Sequence, residues 1–296
     1  MTNPTTRSPR DASAAAPKVW LVCNKASGSN DEDALAELAA AFAAAGYPLD
    51  RKICFPDEPA PKPAQLDAED VDILAVFAGD GTTHAVVTGT YGWGGAVLVL
   101  PGGTMNLLAK RLHGEHSALE IVARLAGSVP RRVRPNVVRT RHGDGLSGAL
   151  AGPGAVWNDV REAMRANDVG EFVSTAAAAI TRSSNAPGVV GRGIDCTREG
   201  GYAAITVTPT DAGLETKGYY AETIGDYAGQ GLALLGRNFR NGPHDDIGVF
   251  DELTIETVEE GTIDLLIDGE PFSGGTEELY QNAACEVDLL ATRDAR

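Results

Sequence analysis

Phe77-Ala78-Gly79-Asp80-Gly81-Thr82-Thr83 is the stretch on which the fold turns. The run Ile73 to Ala78 is apolar or small and enters Gly-Asp-Gly-Thr directly. That order predicts a buried strand, a tight turn and the start of a helix. Gly-Asp-Gly has no use inside a buried strand. At the carboxyl end of a parallel strand it has one. A turn without side chains lets a phosphate reach the backbone N–H groups, and the next helix points its positive end at the anion. Asp80 is the acid of that turn and can meet a metal ion or a reacting hydroxyl. The bland reading of the same residues is a strand-to-helix turn with a capping aspartate.

Working outward, strands alternate with helices. Val19 to Cys23 reads as a short strand running into the polar loop Asn24-Lys25-Ala26-Ser27-Gly28-Ser29. Asn30 or Asp31 can cap the helix that follows, whose inner face carries Leu35, Leu38 and Phe42, with Gly46 placed to end it. Leu49 to Phe55 is a second strand, and Pro56 to Pro63 is a loop. Val71 to Ala78 is the third strand, followed by a helix to about Thr88. Ala96 to Leu100 is the fourth, running into Pro101-Gly102-Gly103-Thr104-Met105-Asn106 and a helix with Leu107, Leu108 and Leu112. Ser117 to Ala126 is another amphipathic helix. This alternation predicts a parallel sheet covered on both faces, an α/β three-layer domain. The loops after strands one, three and four then share one rim, where open α/β sheets bind ligands.

After Gly127 the texture changes. Arg132 to Thr140, Tyr202 to Pro209, Val249 to Thr257 and Gly261 to Ile267 alternate as half-buried strands do. Gly143-Asp144-Gly145 and Gly200-Gly201 read as turns. Helical stretches interrupt at about Asp159 to Thr181 and Thr223 to Phe239. The expectation is a flexible tail at 1–17, a nucleotide-binding α/β domain at 18–128, and a β-sandwich at 129–296 that binds an acceptor. The last residues can return to the first domain.

The 296 residues, 43% hydrophobic and 22% charged, suffice for one large or two ordinary cores. A formal net charge of −16 argues against sequence-blind nucleic-acid binding and against a broad grip on anionic lipid. Arg131, Arg132, Arg134, Arg139 and Arg141 cluster, and a solvated strand face is the simpler account of them. The four cysteines lack metal-site spacing, so buried thiols are expected. No apolar run approaches a membrane span and Thr2 to Pro17 lacks a signal-peptide core, so a cytoplasmic protein is expected.

The rim loops differ in charge. The first helix opens on Asp31-Glu32-Asp33, which repels phosphate, whereas Thr82-Thr83-His84 carries no acid. A phosphate tail is therefore expected against Gly79, Asp80, Gly81, Thr82 and Thr83, with Asn24, Ser27 and Gly28 reaching in from the side. Gly103, Thr104 and Asn106 offer groups suited to a ribose or base edge.

These three loops, in this order and each after a strand, resemble the nucleotide motifs of the diacylglycerol kinase catalytic-domain family, which includes bacterial lipid kinases and sphingosine kinases. Leu266-Ile267-Asp268-Gly269-Glu270-Pro271 is similar to that family's late Asp-Gly-Glu segment. The resemblance implies two domains with ATP and Mg2+ in the cleft between them, and transfer of the γ-phosphoryl group to a lipid hydroxyl. It implies Asp80 beside the phosphates and the metal, with Asp268 as general base or metal contact and Glu270 next to it. It also implies a lipid alcohol as substrate, met through transient peripheral membrane contact. Departures stand beside it. Ala78 replaces a usual Gly and Lys25 a usual Pro. His84 and Ala85 stand where many members carry Asn-Glu, and Leu107 where many carry Asp. Trp157-Asn158-Asp159 is a weak stand-in for a Gly-Phe-Asp motif. Two other readings follow from the residues: an NAD kinase-like small-molecule kinase, and a binding module without catalysis. The oligomeric state is not legible.

Overall fold

The computed structural model describes residues 16–24, 31–127, 130–152, 188–194, 198, 200–219 and 244–293. Lys25, Ser27, Gly28, Cys196, Trp157-Asn158-Asp159, Leu232 to Leu235 and the two helices expected at 159–181 and 223–239 lie outside them.

The described residues form two compact units: those up to Pro135 together with those from Cys285 onward, and those from Asn136 to Ala284. In the first, β1 (Val19–Asn24), β2 (Leu49–Phe55), β3 (Ile73–Ala78) and β4 (Ala96–Pro101) run parallel in the order β2-β1-β3-β4. Every side chain of β3 is buried, because helices cover both faces of the sheet. One face carries α1 (Glu32–Ala44) and α5 (Ala118–Leu125). Leu35, Leu38, Phe42, Ile121, Val122 and Leu125 pack there on Leu21, Ala75, Phe77, Leu98 and Leu100. On α3 (Asp80–Gly89) and α4 (Leu107–His113), which contact β3 and β4, the side chains of Val86, Val87, Leu108 and Leu112 are buried.

Local chemistry sets the helix starts. Asp31 caps α1 by accepting the Ala34 N–H at 2.8 Å. Ser117 and Glu120 form a reciprocal capping box on α5. A further helix, α2 (Pro63–Ala68), begins where a loop was expected to end. Its proline occupies the first turn, where no N–H is needed, and Leu66 anchors it in the core.

Proline also divides the run expected as one strand from Arg132 to Thr140. β5 (Arg131–Val133) belongs to the first sheet and β6 (Asn136–Thr140) to the second unit. Pro135 between them has no N–H for a ladder, and its carbonyl accepts from Cys285 at 2.9 Å. The C-terminal β17 (Asp288–Ala291) inserts between β4 and β5, parallel to the one and antiparallel to the other.

The second unit is a β-sandwich. One sheet contains β8 (Ala149–Gly152), β10 (Ala204–Thr210), β11 (Gly213–Tyr219), β12 (His244–Phe250), β14 (Asp264–Ile267) and β15 (Glu270–Ser273). The other contains β6, β7 (Gly143–Gly145), β9 (Val189–Gly191), β13 (Glu252–Thr257) and β16 (Glu277–Ala284). Ile205, Val207, Leu265 and Ile267 of the first sheet share one core with Val138, Leu253, Ile255 and Tyr280 of the second. Two expectations are corrected here. Val249 to Thr257 is two strands, because the chain changes sheets at Asp251. Gly143-Asp144-Gly145 is itself a strand, and the turn is Arg141-His142. Asp144 pairs in register with Arg139, which clamps its carboxylate through two bonds of 2.9 and 2.8 Å.

Four arginines of the cluster form ion pairs. Arg132 and Arg134 meet Asp288, Arg139 meets Asp144, and Arg141 meets the buried Glu278. Cys23, Cys54 and Cys285 are thiols, with Cys23 Sγ 3.5 Å from Cys54 Sγ across the β1–β2 pair.

The C-terminal segment is tied to α4. Arg293 N–H donates to the Leu112 carbonyl, and the buried His113 ring meets Thr292 through Nδ1, 2.9 Å from Oγ1. Thr292 N–H also donates to Nδ1, which requires that nitrogen to carry no proton. Burial lowers the His113 pKa to about 4, with the Val99 backbone opposing and Arg124 and His116 adding to the shift. Between pH 6.5 and about 4 the unfolded chain therefore binds a proton that the folded chain refuses. The stability gained from the neutral ring is complete above pH 6.5 and is lost as pH falls through that window, by at most about 3 kcal/mol. In urea titrations at pH 7, 6, 5 and 4.5, His113→Leu should show a shallower loss of stability than the parent chain. Parallel slopes would remove His113 as the cause.

Candidate nucleotide-binding rim

The carboxyl ends of β3 and β4 approach so closely that only glycine fits between them. A Cβ on Gly102 would lie 2.7 Å from the Ala78 nitrogen and 2.9 Å from the Phe77 carbonyl carbon. One on Gly103 would lie 2.5 Å from Gly79 Cα. Gly102 N–H donates to the Ala78 carbonyl at 3.1 Å, continuing the ladder one step past the strands. The Gly-Gly pair thus answers a packing need: the third-loop backbone rests on the end of β3 and on Gly79.

Asp80 joins the two loops chemically. It is the first residue of α3, yet its carboxylate caps α4. Oδ2 accepts the Asn106 N–H at 2.9 Å and Oδ1 accepts the Leu107 N–H at 2.7 Å. Those donors open α4 and have no partner within their own helix, so an anion there is favoured twice, by hydrogen bonds and by the helix dipole. The expected aspartate cap therefore exists, but on the neighbouring helix. Asn106 is left-handed at φ 53°, ψ 44°. Its side chain turns back on Gly103, with Oδ1 accepting from Gly103 N–H at 2.8 Å and Nδ2 donating to Gly103 O at 2.7 Å.

The first loop joins through Asn24 at the end of β1, whose Nδ2 donates to Thr82 Oγ1 at 2.8 Å. Asn24 ends β1, and Gly103, Thr104 and Asn106 lie between β4 and α4; the turn expected at Gly79 to Thr82 is the N-cap and first turn of α3 itself. Gly81 and Thr104 are exposed there. Thr83 lies behind them: its side chain is 3% exposed and its N–H bonds the Gly79 carbonyl at 3.0 Å. The N-cap of α3 is Gly79, in extended backbone and with no side-chain cap. The opening of α3 thus presents backbone to whatever approaches. Leu107, 44% exposed, stands at the start of α4.

Asp268 and Glu270 lie in the second unit, at the β14–β15 hairpin. Asp268 at φ 49° and Gly269 at φ 86° form its two-residue turn. The Asp268 carboxylate also holds a neighbouring loop. It accepts N–H groups of Leu146 at 2.7 Å, Ser147 at 2.8 Å and Gly148 at 3.1 Å, and so pins the chain between β7 and β8. The structure thus contains both the hairpin expected from Asp-Gly and a carboxylate engaged by three backbone donors. Among the described residues no group of three or more metal-ligating side chains occurs. No described helix is long and apolar enough to cross a membrane.

Residues 18–136 match the family model of the diacylglycerol kinase catalytic domain, which spans all three loops and bears out the resemblance carried by their motifs. A solved structure of a diacylglycerol kinase from Bacillus anthracis str. Sterne is 18% identical, covers 93% of this chain and 97% of its own, and superposes with a TM-score of 0.61. A second, of a candidate diacylglycerol kinase from the same organism, is 20% identical with the same coverage and TM-score. Likeness at these identities is a likeness of fold. Among curated proteins none matches. The α/β domain followed by a sandwich is the architecture expected from the sequence.

The Asp80 bonds were not legible in the sequence, since nothing in Gly-Asp-Gly-Thr says which helix the acid caps. The close approach had a signal in the Gly-Gly at the end of a strand. It predicts that Gly102→Ala destabilises the chain by about 1–3 kcal/mol, as overpacking does. Gly94→Ala, whose Cβ meets nothing within 4 Å, should be nearly silent. Thermal denaturation of both variants checks this, and equal melting temperatures would refute the packing role.

Proposed function

We propose that this chain is an ATP-dependent kinase that passes the γ-phosphoryl group to the hydroxyl of diacylglycerol or a related lipid alcohol, with Mg2+ as its metal. A kinase-family domain implies a nucleotide and a divalent cation. The observation that carries the reading is the start of α3, an uncapped helix N-terminus behind glycines with a carboxylate at its first position.

The residues fit the groups they would hold. Gly79, Gly81 and Thr82 offer a polyphosphate backbone amides and a hydroxyl, and the glycines carry no side chain of their own. Asn24 fixes the Thr82 hydroxyl through its 2.8 Å bond. Thr104 offers an exposed hydroxyl to the nucleoside side. Asp80 would hold Mg2+. A carboxylate offers about four lone-pair sites, so one that caps a helix can also face a cation. Magnesium is commonly held by one or two carboxylates plus substrate phosphates and water. When bound, Mg2+ supplies charge neutralisation on the transferred phosphoryl group. The chain's own contribution is positioning and fixed dipoles, which is what phosphoryl transfer asks of a protein. The roles of Asp268 and Glu270 in orienting or deprotonating the acceptor hydroxyl rest on the motif resemblance. Transient contact with the membrane from the cytoplasm rests on the same resemblance.

The test is an assay with labelled ATP, Mg2+ and a panel of lipid alcohols, with NAD included. Phosphorylated lipid is expected, and Asp80→Asn should reduce it at least about 100-fold, as loss of a metal or phosphate contact does. Phosphorylated NAD in its place would favour the small-molecule alternative. Calorimetry without any heat of ATP binding would favour a non-catalytic module. Unaltered turnover in Asp80→Asn would end the assignment of that residue.

A further inference from the structure

The sequence placed Asn106 among the groups that could touch a ribose or a base. The geometry assigns it differently. We propose that Asn106 is a positioning residue, which shapes the third loop from inside and sets where that loop meets the nucleotide without contacting it. This rests on the reading of the rim as a nucleotide seat.

All four kinds of polar group on Asn106 already hold a bond within the rim. Its N–H donates to Asp80 Oδ2 at 2.9 Å, and its carbonyl accepts from Lys110 N–H at 3.0 Å, the first helical bond of α4. Its side-chain oxygen and amide close a ring on the two backbone groups of Gly103, at 2.8 and 2.7 Å. The ring has a backbone requirement. The ring forms on a left-handed backbone, and asparagine tolerates φ 53° better than most residues but glycine. A glycine is needed at its other end, since a Cβ on Gly103 would lie 2.5 Å from Gly79 Cα. Gly103 itself rests on Gly79, so a loop held by Asn106 is also held at a fixed height above the phosphate turn. The loop's outward groups are the exposed Thr104 and Leu107, which flank the ring. Contact falls to them, and Asn106 decides their placement.

Three variants separate positioning from contact. Asn106→Gly keeps the left-handed backbone at no steric cost and deletes the ring. Asn106→Asp keeps the acceptor for Gly103 N–H and loses the donor. Asn106→Ala deletes the ring and adds backbone strain. Two quantities are read: amide hydrogen exchange of Gly103 in the nucleotide-free protein, and the affinities for ATP, 2′-deoxy-ATP and GTP. For Asn106→Gly, Gly103 exchange should quicken about tenfold, and all three affinities should fall by a common factor of about 5–10 with their ratios unchanged. Asn106→Asp should restore part of both, and Asn106→Ala should be the worst. Should Asn106→Gly fail to fold, the Asn106→Asp ratios carry the same decision. Ratios that change, with ATP weakened and 2′-deoxy-ATP or GTP spared, would show direct contact and overturn the proposal. So would unchanged Gly103 exchange. A parent chain that binds none of the three nucleotides overturns the nucleotide reading itself, and does so before any variant is compared.

Discussion

Two backbones in van der Waals contact, with a carboxylate across them, organise the first unit. The ends of β3 and β4 touch where Gly102 and Gly103 lie on Ala78 and Gly79, and Asp80 bridges them by accepting the first two N–H groups of the α4 region. The contact excludes side chains, so the loops must be glycine-rich. The bridge supplies the anion that α4 needs at its start, so α4 needs no cap of its own, and none is present from Asn106. One residue thus begins its own helix and caps the start of another.

The rest of the unit keeps that contact in place. Helices on both faces bury β3 completely and fix the height of its end. The C-terminal strand β17 pairs with β4 inside the sheet, and the residues just after it hold the end of α4 through Leu112 and His113. α4 is therefore held at both ends, by an acid at one and by a neutral buried histidine at the other. The sandwich unit repeats the device. Asp268 sits in a hairpin turn and spends its carboxylate on three backbone N–H groups of a neighbouring loop. In both units an aspartate after a strand organises a second loop from a distance.

The order of elements in the first unit was legible because β1, β3 and β4 are apolar and short, α1 and α5 each have one apolar face, and the punctuation is strong. Asp31, Ser117 and Gly46 fall where the caps and the helix end were expected. Less was legible in the second unit. Alternation in Arg132 to Thr140 and Val249 to Thr257 continues across a change of sheet, because a period of two reports only half-burial and not the partner. Gly143-Asp144-Gly145 has turn composition, yet it is held as a strand by Arg139 on the facing strand. α2 escaped notice because a proline-rich stretch hides a helix whose proline sits harmlessly in its first turn.

The sequence by itself determined the α/β order, the glycine-rich loops at three strand ends and the resemblance those loops carry. Each of these is a local pattern, written in residues a few positions apart. Tertiary structure decided which helix Asp80 caps, that the last strand lies between β4 and β5, and that the residue after it meets His113. Those are contacts between groups 26 residues apart for Asp80 and Asn106, and 179 apart for His113 and Thr292. The carboxylate goes to the unsatisfied N–H groups nearest in space, and no periodicity along the chain says where those will be.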